Sequence, residues 1–204
     1  MNKNKSWGNY PKVKNQKTIS YSEDFAFTES SYLSIGLGRS YGDVGLNEDG
    51  TLISTHNLNK IISFNEINGI INCESGLSIK EILNFIIPKG WFLPVVPGTR
   101  NVTIGGAIAN DIHGKNHHVD GTFGNYIKSM RLLRSDGAIL NCSNEENTEY
   151  FDATIAGLGL TGIILSAELQ LKKITSEYID VETFKYKSLD EYWKINSYCE
   201  EKYD

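Results

Sequence analysis

The chain has 204 residues, 40% hydrophobic and 22% charged, the balance of a globular protein that buries a core without metals or disulfides. Its net charge of −5 excludes a broad basic face, and with it nucleic acid as a main partner. No run approaches the ~18 apolar residues of a membrane span, and the polar start MNKNKSWGNYPKVKNQK is no signal peptide. Cys73, Cys142 and Cys199 are far apart and lack CxxC spacing, so they read as reduced thiols of a cytoplasmic, reducing compartment.

After an N-terminal extension (1–16), short β-branched and aromatic runs predict strands at 17–22, 31–37, 51–56, 60–65 and 69–75. Asp-Gly and Asn-Gly pairs punctuate them. Ser78-Ile79-Lys80-Glu81 has the form of a capping box, and the helix it opens runs through IKEILNFII until Pro88 and Gly90 stop it. WFLPVVPG is extended again, and 105–109 reads as a strand or loop almost free of side-chain bulk. Residues 126–143 predict two strands joined at Asp136-Gly137, and Ser143 to Glu146 forms a second capping box opening a helix to about Ala156. A long strand over 157–174 and an amphipathic helix over 188–204 complete the chain. Strand ribbons with isolated helices imply an α+β fold. Glycine clusters at 36–42, 98–106 and 157–162 divide it into sub-units at 17–97 and 98–175.

The glycine clusters are the candidate binding segments. GLGRSYGD (36–43) fails as a dinucleotide fingerprint twice: position 41 is Tyr41, not glycine, and DVGLNEDGT after it cannot be a helix. It is either a plain turn or an anion nest of successive backbone N–H groups, with Arg39 and Ser40 as added donors. PGTRNVTIGGAIAND (97–111) and GLGLTG (157–162) leave similarly bare backbone. Together the three segments suit a long ligand with a pyrophosphate middle and a planar ring system.

In that order, GLGRSYGD, PGTRNVTIGGAIANDIHGKNHH, GTFGN, LRSDGAI and GLGLTGIIL resemble the FAD-binding domain of the vanillyl-alcohol oxidase / p-cresol methylhydroxylase superfamily. The likeness is densest over 31–175 and is nearest to the branch acting on decaprenylphosphoryl-ribose, with sugar-lactone oxidases further off. The resemblance implies a PCMH-type domain of two α+β subdomains with FAD between them. By position, Gly36, Leu37, Gly38, Arg39, Ser40, Tyr41, Gly42 and Asp43 would wrap the pyrophosphate. Gly98, Thr103, Ile104, Gly105 and Gly106 would line pyrophosphate and flavin. Asn110, Asp111, Ile112 and His113 would run beside the isoalloxazine, and Ile164 would make backbone contacts. Many relatives place a flavin-bonded histidine after G-x-G; Arg39 stands there here, so FAD is expected to be non-covalent.

The activity implied is oxidation of a secondary alcohol of a sugar or polyprenyl-phospho-sugar by hydride transfer to FAD, with Tyr41 and Lys115 as candidates for the reacting face. Relatives have a substrate domain after the flavin domain, so 176–204 reads as the start of a truncated or missing one. A reductase or second chain is the expected protein partner, and the alternative is a non-catalytic FAD-binding subunit that needs it. Relatives also have a crossover helix after the first strand, for which EDFAFTES is too short. The remaining motif is DIHGKNHH (111–118). His113 and His117 have i, i+4 zinc spacing, but Gly114 and Asn116 oppose a regular helix, and no metal is expected. His117 and His118 fit a turn, whereas His113 and Lys115 fit a flavin edge or a ligand phosphate.

Overall fold

The computed structural model of the chain describes residues 6–28 and 30–203, so residues 1–5 of the extension lie outside the described part. Two compact units are present, divided between Ile174 and Thr175. The first has an α+β fold with two main sheets. Strands β1 (Lys17–Ser20), β2 (Tyr32–Ile35) and β3 (Thr51–Ser54) form a three-stranded parallel sheet in the order β1-β3-β2. The crossover from β1 to β2 has no helix among its described residues. Phe25, Phe27 and Tyr32 fill that place as edge-to-face ring pairs with centroids 4.9 to 5.5 Å apart.

Strands β4 (Ile61–Asn65) and β5 (Ile70–Glu74) belong to a second, five-stranded antiparallel sheet. Beyond the short β6 (Trp91–Phe92), that sheet continues with β7 (Ile127–Leu133), β8 (Ile139–Ser143) and β9 (Ile163–Gln170), in the order β4-β5-β9-β7-β8. β10 (Lys172–Lys173) pairs with β6. The glycine clusters therefore do not divide the sheets: β4 and β5, grouped by sequence with the first sub-unit, join strands of the second.

Helix α1 (Ile79–Ile86) forms as its sequence predicts. Ile79, Ile82, Leu83 and Ile86 recur on one face and are buried. Ser78 Oγ accepts from Glu81 N–H at 3.2 Å, and Glu81 Oε2 accepts from Ser78 N–H at 2.9 Å. After a turn at Ile87–Lys89, Gly90 ends the helix at φ 78°. Two expectations need correction. Residues 105–109 are neither strand nor loop but part of helix α2 (Ile104–Ala109), capped by Thr103, whose Oγ1 accepts from Gly106 N–H at 3.2 Å. Burial of Ile104, Ala107 and Ile108 along one face overrides the poor helix propensity of Gly105 and Gly106. Ser143 does accept from Glu145 and Glu146 N–H, each at 3.1 Å, but it closes a turn at the end of β8. After the one-turn α3 (His117–Asp120), helix α4 (Thr148–Thr154) begins only past Asn147, whose φ of 48° breaks continuity with that turn.

The segments that lead into α1 and α2 are laced together. Ile79 N–H donates to Val102 O, Lys80 N–H to Arg100 O and Ile104 N–H to Leu77 O, all at 2.9 Å, and Gly105 N–H donates to Ser75 O at 2.8 Å. Gly76 ties this pair to the parallel sheet: its N–H donates to Leu58 O at 2.8 Å, and a Cβ there would overlap the Thr55 carbonyl. In the second unit, α5 (Leu189–Lys202) is capped by Ser188, which accepts from Glu191 N–H at 3.2 Å. Lys202 pairs with Glu182 there at 3.2 Å.

Two stability predictions follow from these contacts. Gly76→Ala forces backbone apart where two sheets meet and should cost about 3 kcal/mol or prevent folding, read by urea denaturation. Ser78→Ala should cost about 1 kcal/mol. Hydrogen bonds from the Ser78 hydroxyl and N–H hold the Glu81 carboxyl below its ordinary range. A carboxylate with a depressed folded pKa stabilises above its unfolded value of about 4.3 and loses that contribution as pH falls through the folded pKa. The Tm gap between wild type and Ser78→Ala should therefore be full near neutral pH and narrow on acidification below about 4.3.

Candidate functional site

β2 runs out at Ile35, and the chain turns across the start of α2. The turn needs Gly36, because a Cβ there would overlap the Thr103 hydroxyl. Gly38 and Gly42 then each take φ 62°, the left-handed conformation that glycine adopts without strain. Among the described residues, no backbone N–H from Leu37 to Gly45 donates to a protein group. The Arg39 guanidinium lies 4.1 Å from the centre of the Trp7 ring.

This loop forms one wall of a cavity of about 630 Å³ in the first unit. Gly36, Leu37, Gly38, Arg39, Ser40 and Tyr41 line it. Gly98, Thr103, Gly105 and Gly106 also line it, with Asn110 and Ile112 beyond α2, Gly159 and Gly162 from the third glycine segment, and Ile164 of β9. Gly38, Gly105 and Gly159, far apart in sequence, thus face one space. Asn110 Nδ2 donates to Gly106 O at 2.8 Å, which fixes the amide at the end of α2. Arg39 is the only ionised side chain in the described wall, and no carboxylate is present, in a chain that contains 25 Asp and Glu. Free backbone donors, one guanidinium and bare glycine faces suit an anion joined to a flat, largely neutral ring. The donor set therefore fits a flavin dinucleotide.

The other residues singled out by sequence lie off this wall. Gly42 and Asp43 close the loop, with Leu46 N–H donating to Asp43 O at 2.8 Å. The Ile104 side chain is fully buried in the core. Asp111, at φ 39°, accepts from Gly124 N–H at 2.8 Å. His113 and Lys115 are exposed. His113 Nδ1 lies 3.3 Å and His117 Nδ1 3.2 Å from the same acceptor, Gly114 O, with the two rings 5.2 Å apart. Among the described residues, no group of three or more His, Cys, Asp or Glu is arranged to hold a metal ion. Sequence reasoning missed Trp7, Thr55, Ser75 and Asn101, which also line the cavity. Trp7 lies in the extension, Thr55 and Ser75 follow strands, and no local pattern marks these three, whereas Asn101 lies inside the 97–111 segment but carries no signal of its own.

Comparison with known proteins agrees with this geometry. Residues 24–143 match the family model for an FAD binding domain. Over 157 residues the chain is 41% identical to decaprenylphosphoryl-beta-D-ribose oxidase of Mycolicibacterium smegmatis, covering 76% of this chain and 34% of that protein. It is 27% identical over 138 residues to L-gulonolactone oxidase of Mus musculus, covering 67% and 30% respectively. It is also 27% identical over 115 residues to Delta(24)-sterol reductase of Rattus norvegicus, covering 56% and 22%. The chain thus spans about a third or less of the length of these relatives. With more than half of its residues inside the family model, the chain belongs to the FAD binding domain family, of the vanillyl-alcohol oxidase / p-cresol methylhydroxylase type.

Proposed function

We propose that the chain is the cofactor domain of an FAD-linked oxidoreductase that oxidises a secondary alcohol of a sugar or polyprenyl-phospho-sugar. The observation that supports it most is the convergence of three glycine segments on a cavity with free N–H donors and no carboxylate among its described lining. In this reading the N–H groups and guanidinium of the 37–41 loop bind the pyrophosphate, with Gly42 and Asp43 holding the loop's end. Gly98, Gly105 and Gly106 let the ring system approach backbone, with Thr103 and Ile104 contributing main chain and Asn110, Ile112 and Ile164 flanking it. Asp111 fixes the following turn through Gly124, and His113 and Lys115 stand ready for a ring edge or a substrate phosphate. Arg39 cannot form the bond a histidine would, so the cofactor is held non-covalently. Bound FAD supplies the hydride acceptor. Tyr41, 77% exposed at the cavity, offers its hydroxyl to the reacting alcohol.

The substrate class rests on the 41% identity to an oxidase named for a decaprenylphosphoryl sugar. Three free cysteines support a reducing, cytoplasmic setting. Among the described residues, no helix is long and apolar enough to cross a membrane. The exposure of Tyr41 favours one further reading, in which a second chain covers the cavity and completes the site.

Gel filtration after FAD addition tests the cofactor assignment. FAD should co-elute with the protein and be fully released into the supernatant by acid; the absence of co-elution refutes the assignment. Gly98 has nothing within 4 Å of a built Cβ and lines the cavity, so Gly98→Trp should lower FAD affinity at least about tenfold with Tm unchanged. Anaerobic addition of a polyprenyl-phospho-sugar, but not of a sugar lactone, should bleach the bound flavin. Bleaching by the lactone alone would reassign the substrate.

A further inference from the structure

We infer that Ser75 anchors the cofactor: its hydroxyl is preset to donate to an acceptor atom of the ligand in this cavity. The inference rests on the FAD reading and adds a residue to that site.

Ser75 follows the end of β5 and is 1% exposed, yet its Oγ has no hydrogen-bond partner. A buried hydroxyl without a partner loses its hydration and gains nothing in return, which is why such groups are few in folded proteins. Ser75 is one of the residues that line the cavity. Its backbone is pinned on both sides. Its N–H donates to Leu165 O at 2.9 Å, and its carbonyl accepts from Gly105 N–H at 2.8 Å. The main chain of Ser75 is therefore fixed between β9 and α2, and only its side chain is free to turn.

The neighbours reinforce the assignment. The other buried hydroxyls of the wall are engaged: Thr103 Oγ1 accepts from Gly106 N–H at 3.2 Å, and Thr55 Oγ1 donates to Ile35 O at 3.5 Å. Ser75 is left over. A Cβ at Gly105 would stand 3.1 Å from Ser75 Cβ and 3.5 Å from its Oγ. Glycine at 105 thus keeps the side of Ser75 clear. FAD carries acceptors at both ends of its length, phosphate oxygens and the polar atoms of its rings, and a single hydroxyl serves either.

The test is Ser75→Ala in the full chain, with FAD affinity from fluorescence titration and apo-protein Tm measured side by side. Loss of one hydrogen bond to the ligand should weaken FAD binding about five- to twentyfold. The apo Tm should stay the same or rise, because an unsatisfied group has been removed. This opposite sign is what a purely structural serine does not produce. Parallel titrations with ADP and FMN locate the acceptor: the loss recurs with ADP for the adenosine side and with FMN for the flavin side, and either supports the assignment. Equal FAD affinity in wild type and Ser75→Ala overturns it and leaves the hydroxyl to water. If wild type itself binds no FAD, the cofactor reading falls and this inference falls with it.

Discussion

Four backbone hydrogen bonds between the Ser75–Lys80 and Arg100–Gly105 segments hold the first unit in its working shape. They run just where the chain leaves β5 for α1 and where it enters α2, so they join the antiparallel sheet to both helices at once. A laced pair of this kind satisfies polar groups that would otherwise be buried without partners. It also brings Ser75, Thr103 and Gly105 to one place, and the cavity is built on that place. Gly76 extends the same junction to the parallel sheet through Leu58, with backbone packed too close for any side chain.

The cavity itself is defined by what is missing from it. Gly36 lets the first loop lie against Thr103, Gly38 and Gly42 take the left-handed conformation, and Gly105 places no side chain against Ser75. No Asp or Glu is among the described residues that line it. An anion entering the site therefore meets unengaged dipoles and a guanidinium rather than carboxylates, and a flat ring meets backbone rather than side chains. The same bareness has a consequence for substrate choice. On the proposed reading, a wall this uniform would recognise the cofactor and say little about the second reactant, which fits the presence of both oxidases and a reductase among the relatives.

In the histidine-rich stretch, spacing and three-dimensional arrangement differ. DIHGKNHH has metal-like spacing, yet in three dimensions His113 and His117 both turn to the Gly114 carbonyl, and Asp111 is taken by Gly124. A Cβ at Gly114 would crowd the Val96 carbonyl, and His113 lies outside the one-turn helix that begins at His117, so the helical register on which i, i+4 ligation depends is absent.

Strands, the α1 cap and its stop were legible in sequence because each depends on nearest neighbours: alternation, an S-x-x-E box, a Pro-Gly boundary. The glycine segments were legible as candidate binding elements for a similar reason, since bare backbone is a local property. What the sequence could not decide depends on burial among distant residues. Helix α2 forms despite two glycines because the core buries Ile104 and Ile108, and Ser143 fails to start a helix because it ends a paired strand. β4 and β5 cross the boundary drawn at the glycine clusters because sheet partners are chosen by long-range hydrogen bonding. Only the tertiary structure placed Trp7 over Arg39 and left the Ser75 hydroxyl alone at the cavity, because a side chain's partners are set by what the fold brings beside it, not by what precedes it in the chain.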